Sequence, residues 1–338
     1  MAKPTFVESL ANRPWLLADG ATGTNYFQMG LESGDAPEMW NIDHPDRVRS
    51  LHRRFIEAGA DIVLTNSFGG SRYRLKLHNA QIRVREINIA AAKNARAEAD
   101  AVGRPVYVGG SVGPTGEIFQ PVGSLSHADG VDAFVEQAAA LKEGGVDVLW
   151  IETMSSEEEL RAAVQGAATA GLPIVATMSF DTNGRTMMGI TPAAFGALAA
   201  SLGVQPVAIG ANCGVGASEL IATVLGISAA RPDAKVIAKG NCGIPQYVDG
   251  HIHYTGTPEL MADYARLALD AGARIIGGCC GTSPEHLAAM RRSLETYTRG
   301  NRPTVEDIET RLGPVSALAK GIDTAAAGAE RRERRRRA

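Results

Sequence analysis

The chain has 338 residues, of which 45% are hydrophobic and 21% are charged, which is the composition of an ordinary globular protein. The formal net charge is -3 although six arginines lie in the last eight residues, so the rest is mildly acidic and nucleic acid is not expected as a partner. The sequence starts with no signal-peptide pattern and contains no apolar run long enough to span a membrane. These features predict a cytoplasmic protein without a membrane partner.

A helical stretch that ends in glycine and is followed at once by a short apolar run recurs along the chain. Clear copies occupy residues 57–66, 143–152 and 270–279, and weaker copies occupy residues 169–178 and 201–210. Glycine supplies the left-handed residue that ends many helices, and short β-branched runs are typical of buried parallel strands. With WLLADG, PVYVGGSVG and KVIAKGN, the sequence predicts eight such strands.

Eight strand–helix units predict an α/β protein of the (β/α)8 TIM-barrel class, which we assign to residues 1–300. An open doubly wound sheet is the alternative, but the dinucleotide-binding pattern GxGxxG is absent. Residues 301–338 are predicted to form a C-terminal extension with one short helix and a disordered, arginine-rich tail.

Polar side chains occur where the predicted strands end. A barrel brings the C-terminal ends of all its strands to one face, so these side chains are expected to share one mouth. They are Asp19, Asn66, Glu152, Ser179, Asn212, Cys213, Asn241 and Cys279.

Cys213 lies in ANCG, and Cys279 and Cys280 lie in GGCCG. Three thiolates with one position left over suit a catalytic zinc ion, because structural zinc takes four protein ligands. The alternative is that these are small buried residues at glycine-rich strand ends. Cys242 is interpreted as a packed residue, and a ligand role for His251 and His253 is disfavoured because histidines are common in exposed loops.

Asp19 and Glu152 are expected on the same face of the barrel. Beside thiolate ligands, they are interpreted as a pair that binds an ammonium group through charge-assisted hydrogen bonds. A general acid/base pair, as in glycosidases, and a purely structural role are the alternatives. The backbone N–H groups around Gly20, Ala21 and Thr22 are candidates for binding a substrate carboxylate.

Seven motifs, in this order, resemble the homocysteine S-methyltransferases, which include betaine–homocysteine methyltransferase and the homocysteine-binding domain of cobalamin-dependent methionine synthase. They are DGATGT at 19–24, LTNSF at 64–68, GSVGPTG at 110–116, WIET at 150–153, ANCG at 211–214, GN at 240–241 and GGCCGT at 277–282. The resemblance implies a (β/α)8 barrel with one zinc ion on the three cysteines.

The resemblance also implies roles for individual residues. Asp19 and Glu152 would bind the homocysteine amino group, and Asn241 would lie beside the zinc as a possible weak ligand. Asn66 and Ser179 complete the predicted substrate-binding set. Homocysteine would bind the open zinc position as a thiolate, attack an activated methyl group and leave as methionine.

The methyl donor is predicted to be an onium compound such as glycine betaine, which aromatic side chains bind through cation–π attraction. Trp40, Phe68 and Tyr73 are the donor-site candidates, although Trp40 is equally suited to packing under a loop. Two positions that carry tyrosine in betaine enzymes are Gly69 and Thr153 here.

Two other functions are left open. One is the homocysteine-activating subunit of a split methionine synthase, which would take the methyl group from a methyl-corrinoid on a partner protein. The other is a non-catalytic barrel that senses metal or thiol. A homo-oligomer is compatible with either.

Overall fold

The computed structural model describes residues 3–248, 251–316 and 319–320. The strands in chain order are β1 Leu16–Leu17, β2 Ile62–Leu64, β3 Tyr107–Val112, β4 Val148–Met154, β5 Ile174–Met178, β6 Ala208–Cys213, β7 Val236–Gly240, β8 Pro245–Val248, β9 His251–Tyr254 and β10 Ala273–Gly278. The α-helices are α1 Phe6–Asn12, α2 Gly23–Gln28, α3 Trp40–Asp43, α4 Pro45–Glu57, α5 Arg72–Lys76, α6 Val84–Ala101, α7 His127–Gly144, α8 Glu157–Ala168, α9 Pro192–Ala200, α10 Ala217–Ala230, α11 Pro258–Asp270, α12 Pro284–Glu295 and α13 Val305–Leu312.

Eight of the strands form one parallel sheet in the order β1-β10-β7-β6-β5-β4-β3-β2. A bridge between Ala18 and Ile62 joins its two ends, so that the sheet curves into a nearly closed barrel. All eight predicted strands are present, and the predicted (β/α)8 barrel is confirmed.

The strands read as continuous apolar runs because both of their faces are buried. One layer of side chains fills the inside of the barrel and includes Leu16, Trp150 and Ile275, while a larger layer packs between the strands and the surrounding helices. Local signals agree with this arrangement. Helix α11 is one example, since the Thr257 side chain accepts from the Leu260 N–H and Pro258 occupies the first turn.

The N-terminal face of the barrel is held together by Asp61, which directly precedes β2. Its carboxylate is 4% exposed and binds Arg13 at 2.8 Å and Arg291 at 3.2 Å. It also accepts the Leu17 N–H at 2.9 Å. Because buried carboxylates need such partners, this cluster ties β1, β2 and α12 together on the face opposite the polar strand ends.

The structure adds an antiparallel hairpin, β8–β9, between β7 and α11, which the sequence analysis did not predict. The predicted short helix of the C-terminal extension corresponds to α13, which packs against α10 and α11. The predicted disordered tail lies outside the described residues, as do the side chains of His251 and His253. None of the helices in the described part of the chain has the length and apolarity that crossing a membrane requires.

Candidate active site

Three cysteine thiols meet at the C-terminal end of the barrel. Cys213 is the last residue of β6, while Cys279 and Cys280 follow β10. Their sulfur atoms all lie within 4.8 Å of one another, and those of Cys213 and Cys280 are 3.9 Å apart. Tetrahedral zinc with bonds of about 2.3 Å places its sulfur ligands roughly 3.8 Å apart. The three thiols therefore fit a cation of this kind and leave one of its four positions open.

The ionisation of the three thiols is coupled. A hydrogen bond with Cys279 raises the pKa of the Cys213 thiol, and one with Cys213 raises the pKa of Cys280 to about 11. Neighbouring thiols resist losing a second proton because two negative sulfurs repel each other. A divalent cation would remove this penalty, so the donor set is chemically suited to a thiolate-bound metal.

A buried amide, Asn212, ties together three strands beneath the thiols. Its Oδ1 accepts the Thr153 N–H at 2.8 Å and the Thr177 hydroxyl at 2.6 Å, and its Nδ2 donates to Thr153 Oγ1 at 2.7 Å. Thr153 and Cys213 both have left-handed backbones, with φ of 65° and 61°. Such conformations persist where surrounding contacts impose them, and Asn212 supplies those contacts.

Asn241, the residue after β7, braces the two cysteine segments against each other. Its Oδ1 accepts the Cys280 N–H at 3.0 Å, and its Nδ2 donates to the Gly214 carbonyl at 2.6 Å. Asn241 thus lies beside the cysteines, while its position beside a zinc ion and its role as a metal ligand stay predictions. Cys242 is fully buried and is not part of the thiol cluster, in agreement with its interpretation as a packed residue.

Hairpin β8–β9 covers the cysteine loop. A Cβ atom added at Gly281 would lie 2.3 Å from Tyr254 Cγ, which shows how closely this tyrosine ring packs on the turn after Cys280. Burial raises the pKa of Tyr254, and the nearby Cys280 raises it further. The ring therefore stays neutral and lies beside Cys280 at the edge of the thiol cluster.

The two predicted carboxylates are brought together with a third charged residue, Lys239 of β7. Lys239 Nζ lies 2.8 Å from Asp19 Oδ1, and both side chains are at most 3% exposed. Glu152 Oε1 accepts the Ser111 hydroxyl at 2.5 Å. Burial raises the pKa of Glu152, whereas Lys239 and the Ser111 hydrogen bond oppose that rise. Lys239 was not among the residues predicted from the sequence, although a lysine within the apolar run KVIAKGN was a usable signal.

Part of the backbone predicted to bind a substrate carboxylate, at Gly20, Ala21 and Thr22, already contacts other residues of the protein. The Ala21 N–H donates to the Thr282 carbonyl at 3.1 Å, and Gly20 packs so closely that a Cβ atom there would lie 2.6 Å from the same oxygen. Asn66 is buried, and its amide donates to the Pro37 carbonyl at 2.7 Å. Ser179 is also buried at the end of β5. Substrate contacts by these residues and by Thr22 remain predictions.

The three aromatic donor-site candidates do not form a cage. Trp40 is 5% exposed, pairs with the Tyr26 ring at 5.2 Å and lies under the Arg47 guanidinium at 4.9 Å. Phe68 is 37% exposed beside the mouth, and Tyr73 is partly buried against the core. No ring contact joins these three candidates within the described residues. The structure favours a packing role for Trp40.

The space where betaine enzymes carry the first tyrosine is filled differently here. Gly69 donates its N–H to Glu38 Oε1 at 2.6 Å, and a Cβ atom at Gly69 would lie 2.8 Å from that oxygen. Burial raises the pKa of Glu38. A buried glutamate thus occupies the volume beside Gly69, and a larger residue at this position would have to displace the Glu38 carboxylate.

Comparison with known proteins places this barrel and its thiols in a family. Residues 16–294 match the profile of homocysteine S-methyltransferase. The chain belongs to this family. It is similar to methionine synthase from Mycobacterium leprae, with 30% identity over 333 residues that cover 94% of this chain and 27% of the relative. Methionine synthase from Mycobacterium tuberculosis is 30% identical over 319 residues, covering 88% of this chain and 26% of the relative.

This family member therefore spans about a quarter of the length of those two relatives. Among solved structures, it is similar to the homocysteine methyltransferase MmuM from Escherichia coli. The oxidized form has a TM-score of 0.70 at 24% identity, and the match covers 84% of this chain and 97% of that one. The metallated form has a TM-score of 0.69 with the same coverage. These structures independently support the barrel fold.

Proposed function

We propose that this chain is a zinc-dependent methyltransferase that transfers a methyl group to homocysteine and forms methionine. The observation that carries the proposal is the pairing of two sites in one mouth. One is a cluster of three thiols with an open fourth position, and the other is a buried carboxylate pair. Homocysteine has a thiol at one end and an ammonium group at the other, which matches these two sites.

Cys213, Cys279 and Cys280 would hold the zinc ion, which when bound keeps a substrate thiol ionised near neutral pH. The charges of Glu152 and Lys239 both act on Cys279, so the ammonium site and the thiol cluster are neighbours. Glu152 would bind the substrate ammonium directly. The Asn241 brace would keep the cysteine segments in place while the thiol is exchanged for a thioether.

For the methyl donor, the structure favours a methyl-corrinoid on a partner domain over a small onium compound. Exposed large apolar side chains are concentrated in the segments that follow the barrel strands, on the same face as the thiols. We call this set the apolar rim: Phe27, Phe68, Leu77, Ile82, Ile118, Val122, Met187, Met188, Val215 and Ile244. An apolar surface around a mouth suits a protein partner, whereas a small cation needs an aromatic cage, which is not assembled here.

The length of the relatives also supports a methyl donor carried by a partner domain. The methionine synthases that this chain resembles are about four times longer, so their remaining length provides further domains. An onium donor such as glycine betaine stays the second candidate because Phe68 is exposed at the mouth. A non-catalytic metal or thiol sensor is the third.

A donor panel tests these alternatives. The zinc-loaded full chain is incubated with homocysteine and, separately, with free methylcobalamin, glycine betaine, dimethylsulfoniopropionate or S-methylmethionine, and methionine is measured. We expect about one zinc per chain and methionine formation with methylcobalamin. Turnover with betaine alone would reverse our choice of donor, and zinc binding without turnover with any donor would support the sensor.

Cys279→Ala and Cys242→Ala form a matched pair for the metal site. Both remove one thiol, but only Cys279 belongs to the cluster. We expect Cys279→Ala to lose both zinc and turnover and Cys242→Ala to keep both. Activity of Cys279→Ala without zinc would rule out the mechanism.

A further inference from the structure

Lys239 is a fully buried lysine in the barrel mouth, and nothing in the proposed chemistry requires it. Its side chain is 2% exposed, and it is among the largest fully buried side chains of the described residues. Removing an ammonium group from water is costly unless it is paired and hydrogen-bonded. A lysine in this position therefore needs a specific arrangement of partners.

Its partners are the two carboxylates of the candidate ammonium site. Nζ lies 2.8 Å from Asp19 Oδ1 and 3.4 Å from the Asp19 carbonyl. Burial alone would lower the pKa of Lys239, but Asp19 and Glu152 outweigh it and raise the pKa. The lysine is therefore charged and lies between the strand ends of β1, β4 and β7, with its Nζ 5.8 Å from the centre of the Trp150 ring inside the barrel.

The two carboxylates are not equivalent once Lys239 is in place. Asp19 uses Oδ1 for the lysine and Oδ2 for the Leu64 N–H at 2.7 Å. Glu152 uses Oε1 for Ser111, while its Oε2 accepts no hydrogen bond from any other residue in the described ranges. Glu152 Oε2 is thus the acceptor available to a second ammonium group.

Charge balance leads to the same conclusion. When both carboxylates are ionised, they and the lysine leave a net charge of -1, which a single substrate ammonium neutralises. Without the lysine, two buried carboxylates would face each other, and either one would take up a proton or the substrate ammonium would be drawn inward to replace Nζ. Protonation would weaken the attraction for the substrate ammonium, whereas an inward shift would draw the substrate thiol away from the thiol cluster.

We propose that Lys239 is a positioning residue that occupies the inner cation position. Because this position is already filled, the carboxylate pair can bind only one further ammonium group, at Glu152. A substrate held there by its ammonium group can place its thiol at the thiol cluster. This inference rests on homocysteine being the substrate. It predicts that the affinity for homocysteine depends on a positive charge at Lys239 Nζ and not on the volume of the side chain alone.

Chemical rescue tests this directly. Lys239→Ala removes the equivalent of n-propylammonium, and Lys235→Ala is the control because Lys235 precedes the same strand and its side chain forms no hydrogen bond within the described residues. The dissociation constant of L-homocysteine is measured by titration calorimetry on the zinc-loaded full chain, alone and with n-propylammonium or the neutral isostere 1-propanol.

We expect Lys239→Ala to bind zinc normally but to weaken homocysteine binding at least tenfold. Addition of n-propylammonium should restore it to within about threefold of wild type, whereas 1-propanol should not, and Lys235→Ala should match wild type. Unchanged homocysteine affinity, equal rescue by 1-propanol, or no rescue by either compound would overturn the proposal.

A second variant covers the case in which Lys239→Ala does not fold. Lys239→Met keeps most of the volume and removes the charge, so it should also bind homocysteine at least tenfold more weakly with zinc retained. Wild-type affinity in this variant would overturn the inference. Failure of the wild-type protein itself to bind homocysteine would instead contradict the proposed function.

Discussion

Replacing Asn212 with alanine tests whether the backbone under the thiols is held in place by one amide. Asn212 is fully buried, and its side chain makes two hydrogen bonds with Thr153 and one with Thr177. Its Nδ2 also makes a longer contact, of 4.0 Å, with Cys279 Sγ. In Asn212→Ala the Thr153 N–H and the Thr177 hydroxyl lose their acceptor. Each orphaned buried donor costs about 1–3 kcal/mol, so the free energy of unfolding should fall by roughly 4 kcal/mol.

The same substitution should weaken metal binding. Thr153 and Cys213, the residue that follows Asn212, both have left-handed backbones. Each such backbone costs on the order of 1–3 kcal/mol when the surroundings do not impose it. Once the amide is gone, Cys213 can relax away from the position that the cluster needs. We expect zinc affinity, measured by competition with a chromophoric chelator, to fall at least tenfold, which corresponds to about 1.4 kcal/mol.

Thr177→Val is the matched control. It removes one hydrogen bond from the same network but leaves the Thr153 N–H bound to Asn212, so the expected loss is about 1 kcal/mol. Urea unfolding gives the stability of both variants, provided that the slope of the transition is unchanged. An Asn212→Ala protein as stable as Thr177→Val, with wild-type zinc affinity, would refute this account of the network.

Three further predictions concern other parts of the molecule. Asp61→Asn removes the charge that binds the arginines of the N-terminal face, and it should lower the free energy of unfolding by about 3–5 kcal/mol in urea without changing zinc content. Ser111→Ala removes a hydrogen bond that lowers the pKa of Glu152, so homocysteine binding, which needs the ionised carboxylate, should require a higher pH in calorimetric titrations. An unshifted pH profile would contradict that role. Gly281→Ala forces a Cβ atom against Tyr254 at a φ of +79°, and we expect a lower thermal midpoint and weaker zinc binding, with wild-type values counting against the packing argument.

The barrel was predictable because its signals are local and repeated. Each strand is a short apolar run that follows a glycine at a helix end, as in EAGADIVLTN and DAGARIIGGC, so several copies support one another. The convergence of Asp19, Glu152 and the cysteines also followed, because a barrel gathers the C-terminal ends of all its strands. No contact between individual side chains was needed for either prediction.

The ion pair between Lys239 and Asp19 could not be predicted from such local signals. Lys239 and Asp19 are 220 positions apart in sequence, and whether a strand lysine points into the barrel depends on the register of the closed sheet. The β8–β9 hairpin was missed for a related reason, since short strands flanked by glycine resemble a loop. Trp40 was equally ambiguous, because only the tertiary structure shows that Tyr26 and Arg47 contact its ring.

The two halves of the candidate site are built from different kinds of contact, and this difference has a physical reason. Neutral amides, Asn212 and Asn241, position the thiol cluster, and they do so without adding charge next to three sulfurs that would be anionic with a metal bound. The proposed ammonium subsite instead contains a buried lysine beside two carboxylates, where a compensating charge lowers the cost of burial. An amide in place of Lys239 would leave two uncompensated carboxylates, and a cation in place of Asn212 would compete with the metal for the thiolates. Each half therefore uses the contact that the other could not tolerate.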